Sequence, residues 1–302
     1  MTATAKLELR DTGADVREAN RIRALLRLDF SRDSANGNTY LAESLQEPPL
    51  KVVRAFTTED GTALAHLHNL SGGLLGGDHL ELQLNLGRGA QVQLTTASAT
   101  RIYCHREGFS PTTQCNQIAV AEDALLEYLP DATIPFAGAR YLQSTVIQLA
   151  AGAGLFWWEI LAPGREARGE IFAYEQFEVR TRVSALGRRI AAENICLRPA
   201  CQDIASLARL GNYRYVATFY ICRVGRDAGA WRTSEERLRE LTTSLTRRGE
   251  ILWGVSSLVA HGLVVRCLAR NCREVLPGLV AIWQDAKRHL YEREAIPPRK
   301  VN

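Results

Sequence analysis

The segment His66-Leu-His-Asn-Leu-Ser-Gly-Gly-Leu-Leu-Gly-Gly-Asp78-His79-Leu-Glu-Leu-Gln-Leu-Asn-Leu86 joins two strand patterns through a run of glycines. After Asp78, Leu80, Leu82, Leu84 and Leu86 alternate with Glu81, Gln83 and Asn85, and this period of two predicts a strand buried on one face. Upstream, Leu64, His66 and His68 share one face of a second strand. Between them lies Ser71 to Asp78, with four glycines in eight residues. Such a backbone takes positive φ or passes close to a neighbour. A carboxylate therefore ends a tight glycine passage beside two histidines.

Three readings of this passage stand side by side. It can be a connection between strands in which Asp78 hydrogen-bonds its own turn. It can be a phosphate loop, although the spacing matches neither G-x-G-x-x-G nor G-x-x-x-x-G-K-[ST], and a strand follows where a helix N-terminus would have to face the anion. It can also be a metal-handling corner made by His66, His68 and Asp78, which needs further ligands from elsewhere in the chain.

Outward from this segment, strand patterns dominate. They cover Leu25 to Phe30, the stretch to Phe56 that follows the proline pair Pro48-Pro49, Ala90 to Leu94 continuing through Thr95 to Tyr103, Ile118 to Ala121 and Leu125 to Leu129. They resume at Tyr141 to Leu149, Leu155 to Leu161, Ile171 to Val183, Arg189 to Leu197 and Tyr213 to Val224. No helical periodicity is interleaved, so the expected fold is mainly β: stacked multi-strand sheets, as a sandwich or a solenoid-like winding. One or two helices are expected in the C-terminal quarter. The capping box Thr233-Ser-Glu-Glu236 opens the first, running to about Arg248 before Gly249. Asn271 is a second N-cap candidate, ahead of Leu279, Ile282, Trp283, Ala286 and Leu290 at helical spacing.

Length and composition narrow the functional classes. The 302 residues are 46% hydrophobic, enough for a well-buried interior. Residues 1–20 read as a flexible N-terminal extension and 21–302 as one β-rich domain. The 37 basic residues exceed the 33 acidic ones by only four and form no long run, which argues against a nucleic-acid surface. Only Lys6, Lys51, Lys287 and Lys300 are lysines, so arginine, suited to bidentate pairing at interfaces, supplies most of the positive charge. No apolar run has the length of a signal core or a membrane span, so the expected location is the cytoplasm, with no membrane partner. Seven cysteines, an odd number, then read as reduced thiols packed as small hydrophobes.

The run His68-Asn-Leu-Ser-Gly-Gly-Leu-Leu-Gly-Gly-Asp78 resembles the signature of the urease accessory protein UreD family, also called UreH. Three further segments are similar to that family in the same order. Thr95-Thr-Ala-Ser-Ala-Thr-Arg-Ile-Tyr103 resembles an element usually written T-T-Q-A-A-T-K-x-Y, with Ala97 in place of the amide and Arg101 in place of the lysine. Glu127-Tyr-Leu-Pro-Asp-Ala-Thr-Ile-Pro-Phe-Ala-Gly-Ala-Arg140 and Gly164-Arg-Glu-Ala-Arg-Gly-Glu170 are the others. The likeness continues through Trp253-Gly-Val-Ser-Ser-Leu258, Leu263 to Ala269 and Pro297-Pro-Arg299, but the aromatic residue that often closes the family's sequence is missing. It covers about residues 25 to 299.

The resemblance implies a non-catalytic metallochaperone scaffold that assists nickel insertion into apo-urease together with UreF and the GTPase UreG. Nickel would be in transit and no cofactor tightly held. It further implies His68, Asp78, Glu127 and Glu170 as residues lining or supporting a passage, and Arg101, Tyr103 and Arg165 as partner contacts. The competing class is a stand-alone metal-dependent hydrolase using His66, His68 and Asp78. The nucleophile elbow of a serine hydrolase is absent, since Gly254-Val-Ser256-Ser-Leu lacks its second glycine.

Overall fold

The computed structural model describes residues 22–298. The seventeen strands assigned among them are, in order, β1 (Arg23–Arg32), β2 (Thr39–Gln46), β3 (Leu50–Thr57), β4 (Ala63–Asn69), β5 (His79–Leu86) and β6 (Gln91–Thr96). Then come β7 (Thr100–Ile102), β8 (Thr112–Val120), β9 (Leu125–Tyr128), β10 (Thr133–Pro135), β11 (Arg140–Leu149) and β12 (Gly154–Leu161). The last are β13 (Gln176–Ala185), β14 (Arg188–Leu197), β15 (Tyr215–Arg223), β16 (Ile251–Ser257) and β17 (Gly262–Ala269). Two helices, α1 (Ala228–Leu245) and α2 (Val275–Tyr291), lie in the C-terminal quarter. The expected extension at residues 1–20 falls outside the described residues.

The strands form two stacked sheets. One has seven strands in the order β14-β13-β11-β8-β5-β1-β2; the other runs β16-β17-β15-β12-β9-β6-β4-β3, with β7 and β10 attached beside β12. From β4 to β13 the main strands alternate between the sheets, so β5, β8, β11 and β13 are parallel neighbours in one, and β4, β6, β9 and β12 in the other. A parallel pair ordinarily requires a crossover helix. Here the crossover is a strand of the opposite sheet, so the body is wound like a solenoid and layered like a sandwich.

Two burial patterns follow from two environments. β5 alternates, with Leu80, Leu82, Leu84 and Leu86 inside and the polar residues outside, because the seven-stranded sheet packs on one face only. β12 reads Leu155-Phe-Trp-Trp158 with all four buried, since its sheet carries the other sheet on one face and helices on the second. Leu155 and Trp157 enter the inter-sheet core with Leu84, Leu94 and Ile147. Phe156 and Trp158 face Leu279, Ile282 and Trp283 of α2.

Several boundaries differ from those expected. α1 starts at Ala228 because the Asp227 carboxylate accepts the Ala230 amide at 2.9 Å, so the box at Thr233 lies inside the helix. α2 begins at Val275 after a short 3-10 turn, Cys272–Glu274, and Asn271 makes no side-chain cap. Thr95 to Tyr103 is two strands separated at residues 97–99. The strand expected from Ile171 begins at Gln176. β2, unforeseen, is an edge strand that exposes Tyr40, Glu43 and Leu45.

Candidate functional site

The four family-like segments meet at one end of the sandwich. Leu74, inside the glycine passage, bridges to Ile102 of β7: its amide donates to the Arg101 carbonyl and its carbonyl accepts from the Tyr103 amide, each at 2.8 Å. β10 then pairs with β7, Thr133 to Pro135 lying beside Thr100 to Ile102. The Arg165 guanidinium stacks 4.1 Å over Phe136, which Tyr103 meets edge-on at 5.2 Å. Glycine is required at position 73, where a Cβ would lie 2.6 Å from the Tyr103 ring and 2.9 Å from the Arg101 carbonyl. Arg101 and Arg165, both expected partner contacts, line one surface groove there, over a floor that includes Phe136.

The expected passage residues are not gathered in one place. Asp78 is buried, and its carboxylate accepts the Leu75 amide at 2.8 Å and the Ile22 amide at 3.4 Å, tying the passage to the start of β1. Burial pushes its carboxyl upward, opposed by those two amides. His68 borders a small inter-sheet cavity with Gly72, Gly73 and Arg101, and together with His66 it also faces a cleft beside β3. Glu127 points to the helix layer, where Lys287 and Trp283 each donate to it at 2.7 Å. Glu170 is held by Arg165 and by the Ala137 amide at 3.1 Å, and Arg165 lowers its carboxyl. Among the described residues no three His, Cys, Asp or Glu converge as a metal-holding group. The trio His66, His68 and Asp78, on which the hydrolase reading rests, is thus not assembled: Asp78 is spent on backbone amides while the imidazoles face the cleft.

A polar layer crosses the inter-sheet core instead. On the seven-stranded sheet Asn116, Thr145, Thr181 and Glu193 stand in one cross-strand row, with Gln114 and Gln143 one step along β8 and β11. Opposite them the ten-stranded sheet presents Glu159, Thr218 and Arg266, also in register. The layer separates the core around Leu82, Leu84 and Trp157 from that around Leu80, Tyr141 and Phe177.

Hydrogen bonds tie most of the layer together. The Tyr141 hydroxyl lies 2.9 Å from the side-chain oxygens of both Gln114 and Gln143 and donates its one hydrogen between them; Gln143 donates to Glu159 at 2.5 Å, and Thr181 to the other oxygen of Glu159 at 3.3 Å. Two cavities of about 60 Å³ border it, one beside Glu159, Gln143 and Thr218, the other beside His68 and Gly73, and both touch Thr100, Gln114 and Tyr128. Each is large enough for water, which needs about 10–15 Å³. Arg266 closes the layer at the far edge by pairing with Glu193 at 2.8 Å.

Burial pushes the Glu159 carboxyl up to about 7, with Gln143 and Thr181 opposing. Burial disfavours its ionised form, so this carboxyl holds a proton part of the time at neutral pH. Sequence reasoning missed Glu159. The available signal was a lone acid inside Phe156-Trp-Trp-Glu-Ile-Leu161, the most continuously apolar strand. It was matched by glutamine, asparagine and threonine at inward positions of β8, β11 and β13.

Fold and site together define a two-sheet, solenoid-wound β protein with an enclosed polar layer and a motif-rich end. The sequence model described as UreD urease accessory protein matches residues 23–302. The chain belongs to the UreD family. It is 46% identical over 281 residues to a urease accessory protein UreD of Herpetosiphon aurantiacus, covering 93% of this chain and 97% of that one. It is 35% identical over 210 residues to the UreD of Deinococcus radiodurans, covering 70% and 74%. A third relative, the UreD of Lysinibacillus sphaericus, is 35% identical over 196 residues, covering 65% and 73%. Family membership supports an accessory role in urease maturation. No helix among the described residues is long and apolar enough to cross a membrane.

Proposed function

We propose that this chain is a non-catalytic metallochaperone scaffold that assists nickel insertion into apo-urease in the cytoplasm, together with UreF and the GTPase UreG. The observation that carries this reading is the polar layer around Glu159. It offers carboxylate, amide and hydroxyl oxygens inside an otherwise apolar sandwich, bordered by two cavities that share Thr100, Gln114 and Tyr128. A divalent ion in transit needs ligands that replace water without trapping it, and scattered oxygen donors do this better than a closed cage. Nickel reaching Glu159 would displace the proton that a carboxyl near pH 7 partly holds.

The sequence-assigned residues take supporting parts in this route. His68 borders the cavity nearest the glycine passage. Asp78 holds that passage in shape, Glu127 anchors α2 to the sheet, and Glu170 fixes Arg165 at the motif end. The experiment is activation of purified apo-urease by nickel, GTP, UreF and UreG with and without this chain. The reading requires activation to depend on the chain; equal activation in its absence would overturn it.

A further inference from the structure

The groove at the motif end has a composition that the transit reading leaves unused. Its volume is about 740 Å³, and four arginines, Arg101, Arg165, Arg168 and Arg273, line it against one carboxylate, Glu166. Two ion pairs tie down part of this charge: Arg165 with Glu170, and Arg214 with Glu166 at 2.6 Å. Counting both outside partners, Arg214 and Glu170, leaves the excess at three positive charges. Arg101 and Arg273 are exposed, and among the described residues neither makes an ion pair or a side-chain hydrogen bond; Arg168 is exposed too and influences Glu170 at a distance. Between the arginines the floor is apolar and aromatic, with Ile134, Phe136 and Tyr215.

These features select a ligand. Unpaired guanidiniums at the rim favour carboxylates in bidentate geometry. An apolar floor of this extent is wasted on a small inorganic anion, whereas a peptide fills it with side chains lying between its acids. Nucleic acid would need the charge to continue along a stripe, and the chain's net charge is only +4. We infer that this groove docks an acidic peptide segment of a protein partner, carboxylates on Arg101, Arg168 and Arg273 and an apolar side chain over Phe136. The inference rests on the accessory-scaffold reading only in supposing that such a partner exists in the maturation complex. Arg165 is a positioning residue here, kept in place by Glu170 and by its stack on Phe136.

The test uses the purified full chain and a fluorescent peptide of alternating glutamate and leucine. A lysine-leucine peptide of the same length and inorganic phosphate serve as comparisons. The acidic peptide should bind in a salt-sensitive manner and the basic one should not, and phosphate should displace it only at ionic strengths where any salt does. R101E/R273E should weaken binding roughly tenfold or more and reverse the preference in favour of the lysine peptide, while R88E, at a remote loop, should change neither. Thermal unfolding of each variant separates misfolding from lost docking, and the milder R101A/R273A should give a smaller loss in the same direction. Unchanged affinity in R101E/R273E, or selective displacement by phosphate, would overturn the inference. Peptide binding is read without urease, so its outcome is independent of whether wild-type chain activates urease.

Discussion

The Nζ of Lys287 on α2 lies 2.7 Å from Oε1 of Glu127 on β9, and both side chains are shut away from water between the helix layer and the ten-stranded sheet. Trp283 donates to the second oxygen of the same carboxylate at 2.7 Å. Burial pushes the Glu127 carboxyl up, and the ammonium and indole oppose it. This is an anchor for α2. Replacing one member strands the other, so K287M should lose about 3–5 kcal/mol of stability. The double variant E127Q/K287M should recover much of that loss, because no buried charge remains. Urea unfolding of the four forms of this cycle measures the coupling; an additive result would show that the pair does not act as a unit.

Glu159 gives a pH signature. Its folded carboxyl is raised from an ordinary 4.5 to about 7. Between those values the folded chain holds a proton that the unfolded chain has released, so stability falls as pH rises through the window and levels off above about 7. E159Q cannot ionise and should show a flatter profile, its advantage over the parent growing to as much as about 3 kcal/mol by pH 8. The same variant should lower nickel-dependent urease activation despite its equal or greater stability. Parallel stability profiles for parent and variant from pH 5 to 8 would place the titration elsewhere.

Two glycine substitutions separate close approach from idle flexibility. G73A puts a methyl group against the Tyr103 ring and the Arg101 carbonyl, and should cost about 1–3 kcal/mol as β7 moves aside. At Gly254 in β16 the same added carbon meets nothing within 4 Å, so G254A should be neutral or stabilising by up to about 1 kcal/mol. Thermal melts of the two variants make the comparison directly.

Asp78 is expected to matter through its turn. D78A leaves the Leu75 amide, and more weakly the Ile22 amide, without its side-chain acceptor in a partly buried place, at a cost of about 1 kcal/mol. Loss of activation in D78A should therefore come with earlier melting. D78N retains an acceptor oxygen and should restore much of the stability. Full activation by a destabilised D78A would separate the turn from the function.

How much of this was legible beforehand depends on the range of the interaction involved. The alternation of Leu80 to Leu86 marked a strand with one buried face, and β5 is that strand. Leu279, Ile282, Trp283, Ala286 and Leu290 marked a helix face, and all five are buried in α2. The start of α1 was misplaced because Asp227, six residues upstream of Thr233, caps the helix by accepting the Ala230 amide. Arg101 and Arg165 were singled out separately; their meeting at one groove depends on β10 bridging β7 and β12. Glu127 was expected at a passage and Glu159 was missed, since an acid in an apolar strand does not show which layer it will face; Glu127 meets Lys287 and Glu159 meets Gln143.

By itself the sequence determined the local physics: which segments pleat, where glycine must turn or yield space, where the two late helices lie, and the family to which the chain belongs. Only the tertiary structure decided that successive strands alternate between two sheets, that Glu159 faces inward across a polar row, and that Glu127 faces Lys287. Strand periodicity assigns side chains to two faces but does not say what will cover either one. That is settled by pairing between residues far apart in the chain, such as Asn116 with Thr145 and Thr145 with Thr181.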